Sequence, residues 1–128
     1  MNQIRNIKGT HDILPEDSRK WQELECIINE VCSQFGYHEI RTPIFEETGL
    51  FSRSVGEETD IVSKEMYTFE DKASRSMSLR PEGTASVMRA FAQSQLQQLS
   101  TQHKFFYIGP LANYNRLFGP RNLSLIHI

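Results

Sequence analysis

Leu79-Arg80-Pro81-Glu82-Gly83-Thr84-Ala85 leads from a strand-like run into a helix. Thr84 suits the N-cap of that helix, and Glu82 suits the positive end of its dipole. Yet an acid, a glycine and a hydroxyl between strand and helix need a reason beyond capping. Downstream, Val87, Met88, Phe91 and Gln95 trace an inner helix face, and Lys104-Phe105-Phe106-Tyr107-Ile108 is an apolar strand closed by Gly109-Pro110. Upstream, Met66–Phe69 and Ser76–Leu79 flank the turn-rich Glu70–Ser74, a hairpin signal.

Further upstream, a polar stretch from Glu46 to Ser63 mixes loop with a short helix around Leu50–Val55. Tyr37-His38-Glu39-Ile40-Arg41 is a short strand that Pro43 ends or marks as a sheet edge. From Glu16 to Phe35, the residues Trp21, Leu24, Ile28, Val31 and Phe35 recur at helical steps. Pro15 suits the entry to that helix and Gly36 its C-terminal cap. Helix, strands and then a helix between strands, without regular βαβ crossovers, imply an α+β domain: an antiparallel sheet with flanking helices.

The 128 residues suit one domain or a piece of one. A hydrophobic fraction of 38% with 23% charged residues is ordinary for a soluble globular chain. The net charge of −2 gives no electrostatic sign of nucleic-acid binding, although a local basic patch can still hold phosphate. No stretch approaches the roughly 20 apolar residues that a membrane helix needs, so no membrane partner is expected. Met1-Asn2-Gln3-Ile4-Arg5 has no apolar core and no small-residue cleavage site, which argues against a signal peptide. Cys26 and Cys32 fall on different faces of the first helix, so neither a disulfide nor a shared metal site is expected. The histidines, His11, His38, His103 and His127, are scattered without ligand spacing, and no resident metal is expected. A reducing cytoplasm fits best.

Four stretches carry a family resemblance. Gly9-Thr10-His11-Asp12-Ile13-Leu14-Pro15 resembles the opening signature of histidyl-tRNA synthetases. The first helix with Gly36-Tyr37-His38-Glu39-Ile40-Arg41-Thr42-Pro43 is similar to motif 1 of class II synthetases, where helix, strand and a fixed proline build a homodimer interface. Leu79–Ala85 is similar to the segment that holds the histidine substrate, and Phe106-Tyr107-Ile108-Gly109-Pro110 to the strand that opens motif 2. The resemblance covers roughly residues 4–110, and four patterns in order are far more specific than one.

The resemblance implies a partial class II catalytic domain over residues 1–110. Its full-length enzyme would join histidine to ATP as histidyl-adenylate, then pass the histidyl group to tRNA(His). Such chemistry is driven by positioning and by stabilising charge on phosphate oxygens. Glu82 and Thr84 inherit the role of holding the histidine ammonium, and Gly83 lets backbone approach the ligand. ATP is a substrate with Mg2+, whose ligands are expected beyond this chain.

Residues 111–128 diverge. In Leu111-Ala112-Asn113-Tyr114-Asn115-Arg116, Asn113 stands where the family has an arginine on the α-phosphate, and Asn115 where it has an acid. A short neutral amide cannot supply a bidentate cationic clamp. From Leu117 onward no family pattern is recognised, and Leu123-Ser124-Leu125-Ile126-His127-Ile128 reads like the in-frame translation of a common sequencing-library transposon adapter. A junction between Pro110 and Leu123 is therefore expected, with a non-native tail after it. Loss of the arginine also suits a catalytically silent, histidine-sensing paralogue such as the regulatory subunit of ATP phosphoribosyltransferase. A third reading is a free-standing interaction domain built on the first helix. The chain as it stands is expected to show no histidine-dependent pyrophosphate exchange, because Asn113 forfeits about 3 kcal/mol of transition-state stabilisation and motif 3 is not recognised. Exchange clearly above a no-enzyme blank contradicts this.

Overall fold

The computed structural model describes residues 3–7, 10–55, 66–112 and 122–128. The long helix α1 spans Pro15–Gln34, with Pro15 at its first position and Glu16 and Asp17 in its first turn. Proline lacks a donor that the first turn could not use, and the two acids suit the positive helix end. The helix closes as the sequence implies. Gly36 turns left-handed at φ 75°, its amide donates to Ser33 O at 3.0 Å, and the Tyr37 amide donates to Cys32 O at 2.9 Å. This pair of bonds is the Schellman closure, which favours glycine at the left-handed residue.

Two three-stranded sheets follow. The first has the order β1-β5-β6, from His38–Glu39, Lys104–Gly109 and Asn122–His127. The second has the order β2-β4-β3, from Phe45–Glu47, Ser76–Leu79 and Thr68–Glu70, and is antiparallel throughout. Helix α2 covers Thr48–Val55 and α3 covers Thr84–Gln93; α2 lies against α3 and β4. The architecture is α+β, as expected, but β1 pairs with β5 in parallel, His38 opposite Phe105 and Glu39 opposite Phe106. A hairpin-only reading misses that pairing, since its partners lie far apart in the chain.

Several local expectations need correction. The strand expected over Tyr37–Arg41 shortens to two residues, and β2 begins at Phe45 and runs into the start of the polar stretch expected to mix loop with a short helix. Part of that stretch, from residue 56 to 65, lies outside the described residues. The apolar face of α1 is only half covered: Trp21 and Ile28 are half-buried, whereas Leu24, Val31 and Phe35 are exposed. Along α3, Val87 is fully buried and Phe91 packs on the core, but Met88 is 42% exposed and Gln95 sits beyond the helix in a left-handed turn. Both cysteines are free.

The expected hairpin forms with Phe69 opposite Met77. Its turn is organised by Asp71, which accepts the amides of Ala73 at 2.8 Å and Arg75 at 2.9 Å and pairs with the Arg75 guanidinium at 2.7 Å. The bond from the Arg75 amide, then that from its side chain, holds the Asp71 carboxyl below the ordinary carboxylate range. Ser78, fully buried on β4, is satisfied by the Thr48 hydroxyl at 2.9 Å and the Thr68 hydroxyl at 2.8 Å. These bonds tie the start of α2 and strand β3 to the centre of the second sheet.

The main core joins Val87 of α3 to Phe105 and Tyr107 of β5, with Ile40, Phe91, Leu96 and Ile126 packed around them. Phe51 of α2 is also wholly shielded. Removing its ring leaves a cavity, so Phe51→Ala is expected to lower unfolding stability by about 3–5 kcal/mol in a urea titration. Leu99→Ser, at a side chain 77% exposed, is expected to change it by less than about 0.5 kcal/mol. Equal losses from the two variants contradict this packing.

Candidate active site

Strand β4 ends at Leu79, and residues 80–83 lead from it to α3. Arg80 fixes that connection. Its backbone amide donates to Ile44 O at 2.9 Å, and its carbonyl accepts the Ala112 amide at 2.9 Å. Its guanidinium donates through Nε to Pro110 O at 3.0 Å and through Nη1 to Thr42 O at 3.2 Å and Thr42 Oγ1 at 3.0 Å. Burial pushes this guanidinium below its ordinary pKa, while Tyr107 and Glu46 oppose that shift.

Beyond Arg80, the segment enters α3 in a way that alters one expectation. Thr84 is the first helical residue rather than the N-cap; Gly83 takes the cap position and makes no side-chain bond. Glu82 does the capping instead. Its carboxylate accepts the amide of Thr84 and, at 3.0 Å, the amide of Ala85. A glutamate one step earlier in the chain reaches these orphan donors, and an ionised acceptor binds them more strongly than a hydroxyl. Gly83 is required here for space: a Cβ would run into the Tyr107 ring beneath it. Thus Glu82, Gly83 and Thr84 are brought together at one helix start, as the sequence implies.

Glu82 and Thr84 border a cleft of about 640 Å³ between α2 and α3, lined also by Leu50 and Arg53 of α2 and by Ala85, Met88 and Arg89 of α3. The exposed position of Met88 follows from its place in that wall. A cleft lined by Glu82, Arg53 and Arg89 presents both signs of charge, which suits a ligand carrying an ammonium and an anion. Arg89 is itself restrained, with Nη2 2.9 Å and Nε 3.0 Å from Glu46 Oε1 and Nη1 2.7 Å from Gln93 Oε1. Glu46 is 9% exposed, so this pair is shielded from solvent screening. Arg53, Arg89 and Glu46 were not singled out in the sequence. The Glu46–Arg89 pair spans 43 residues, and no local pattern announces it.

Pro43 lines a neighbouring groove of about 540 Å³ that shares Leu50, Arg53 and Arg89 with the cleft. Gly36 lies away from both, in the turn after α1. Asn113 and Gly9 fall outside the described residues, as do Asn115 and Arg116. Among the described residues no group of three or more histidine, cysteine or acidic side chains is placed to hold a metal ion.

A family model described as histidyl-tRNA synthetase matches residues 9–121. The chain belongs to that family. It is 57% identical over 110 residues to a histidine–tRNA ligase of Geobacillus kaustophilus, covering 85% of this chain and 26% of the relative. It is 56% identical over 109 residues to a histidine–tRNA ligase of Desulforamulus reducens, again covering 85% of this chain and 26% of the relative. The crystal structure of apo S. aureus histidyl-tRNA synthetase superposes with a TM-score of 0.79 at 41% identity, over 96% of this chain and 28% of that one. The chain thus spans about a quarter of the length of these relatives.

The tight seat of Gly83 on Tyr107 yields a direct check. Its φ of −108° suits any residue, so the cost of Gly83→Ala is steric and is expected to be about 1–3 kcal/mol of stability. Gly49→Ala, whose added Cβ meets nothing within 4 Å, is expected to leave stability unchanged or raise it. Thermal melting of both variants measures the difference, and equal melting temperatures contradict it.

Proposed function

We propose that the full-length protein containing this chain is a histidine–tRNA ligase, and that residues 1–110 form the N-terminal part of its catalytic domain. The observation that carries this is the placement of Glu82 and Thr84 at the start of α3, on the border of the cleft. Curated relatives 56–57% identical are histidine–tRNA ligases, which also disfavours the silent histidine-sensing alternative.

In the first step an oxygen of the histidine carboxylate attacks the α-phosphorus of ATP. An oxygen–phosphorus bond forms, the bond to the β-phosphate bridge breaks, and pyrophosphate leaves. In the second, a terminal ribose hydroxyl of tRNA(His) attacks the histidyl carbonyl, loses its proton, and AMP leaves. ATP enters as a substrate with Mg2+, which neutralises charge on the phosphates when bound.

Glu82 holds the histidine ammonium. Its carboxylate is already fixed by two helix amides, and Oε1, which accepts only one of these bonds, keeps lone-pair capacity for a cation. Thr84 Oγ is the neutral partner. Preorganisation of this kind lowers the ordering cost of binding. Asn113 stands at the position of the family's phosphate-gripping arginine, and a neutral amide cannot supply that cationic clamp. The same reading places the protein in the cytoplasm as a homodimer, with α1, Gly36 and Pro43 at its interface. The exposed Leu24, Ile27, Val31 and Phe35 along α1 support a covering partner.

The test uses the full-length protein. Glu82→Gln is expected to weaken histidine binding about ten- to a hundredfold while ATP binding changes little, because a charge-assisted hydrogen bond is worth about 1.5–3 kcal/mol. Thr84→Val is expected to act in the same direction but less. Calorimetric titration with each substrate, beside a thermal melt, reads the effect. Unchanged histidine affinity in a well-folded Glu82→Gln protein overturns the assignment.

A further inference from the structure

We propose that Arg80 is a positioning residue that holds the histidine-binding segment at a fixed distance from the segment leading to the nucleotide. The inference rests on the function proposed above. Arg80 lies two residues before Glu82, and Pro110 three residues before position 113. Its Nε bond to Pro110 O, and the Ala112 amide on its carbonyl, clamp those two stretches side by side. Its Nη1 bonds to Thr42, and its amide bond to Ile44, hold the same point against the connection between β1 and β2. One residue therefore fixes three chain segments that are remote in sequence.

Three features argue for placement rather than simple stabilisation. Arg80 is only 6% exposed, and its acceptors are two carbonyls and a hydroxyl, all neutral. Taking a guanidinium out of water onto neutral oxygens is a poor route to stability, since apolar packing of equal volume serves as well or better. What a guanidinium adds is a rigid planar fork whose donors point in set directions, a property that lysine lacks. The surroundings are also shaped to admit the fork. At Gly109 a Cβ would collide with Nη2, so β5 ends in a residue that leaves the guanidinium its place.

The two reactants of the proposed first step must meet with their atoms aligned. A displacement on the order of 1 Å costs about a hundredfold, even when each reactant binds normally. Loosening Arg80 leaves Glu82 on its own helix amides, so histidine alone still binds. It alters the spacing between the two half-sites, which only a ligand spanning both can sense.

The experiment is calorimetric titration of the full-length protein with three probes: histidine, ATP, and a non-hydrolysable histidyl-adenylate analogue. Arg80→Lys and Gly109→Ala are expected to weaken the analogue about ten- to a hundredfold, with histidine and ATP each within about threefold of the unaltered protein. Thr42→Val, which removes one acceptor, is expected to show the same split at smaller size, and it decides the matter should Arg80→Lys fail to fold. Equal weakening of all three probes, or a drop in the number of binding-competent sites at unchanged affinities, overturns the inference by reducing Arg80 to a structural role. Unchanged analogue affinity in the folded variants overturns it too. If the unaltered protein binds neither histidine nor the analogue, the ligase reading falls and takes this inference with it. Normal binding there, with no split in the variants, sinks this inference alone.

Discussion

A guanidinium withdrawn from water and held by three neutral oxygens is the constraint on which this arrangement turns. Arg80 follows the end of β4 and bonds to Pro110, just past the end of β5. Each sheet alone is small, and each has exposed edges. Their relative placement comes from the apolar contact of α3 with β5 and from the directional bonds of Arg80. Apolar packing sets how near the elements lie, but it is non-directional. The hydrogen bonds set their register.

The helix start that follows is organised by one carboxylate. Glu82 satisfies amides that the first turn of α3 leaves unpaired, so its charge is fixed before any ligand arrives. The Tyr107 ring, packed under Gly83, brings the backbone of the segment down onto the core. Under the proposed function, binding and folding draw on the same residues here. A substitution at Glu82 then has a capping consequence beside the binding one, and stability must be measured beside affinity to part them.

The fold was legible where information is local. The α1 boundaries, the Gly36 closure, the hairpin around Asp71 and the strand Lys104–Gly109 each follow from turn chemistry or periodicity within a short window. What escaped was remote pairing. The parallel contact of β1 with β5, the strand β2 hidden in an acidic stretch, and the Glu46–Arg89 pair all join residues far apart in the chain. Glu46 reads as a surface acid until its arginine is known. The cap of α3 failed differently: threonine was the local favourite, but a longer carboxylate two residues before it reached the same amides. Glu82, Gly83 and Thr84 were singled out through their resemblance to a family pattern, whereas Arg53 and Arg89 line the cleft beside Glu82 and Thr84 through the packing of α2 on α3.

The central claim is that the Glu82 carboxylate, fixed at the start of α3, is the counter-ion of a bound amino acid. A crystal structure of the full-length protein with histidine tests it most directly. The expected result is the histidine ammonium about 3 Å from a Glu82 oxygen and within hydrogen-bond reach of Thr84 Oγ, with α3 still capped. Histidine bound elsewhere, with Glu82 engaged only by the amides of Thr84 and Ala85, would contradict it.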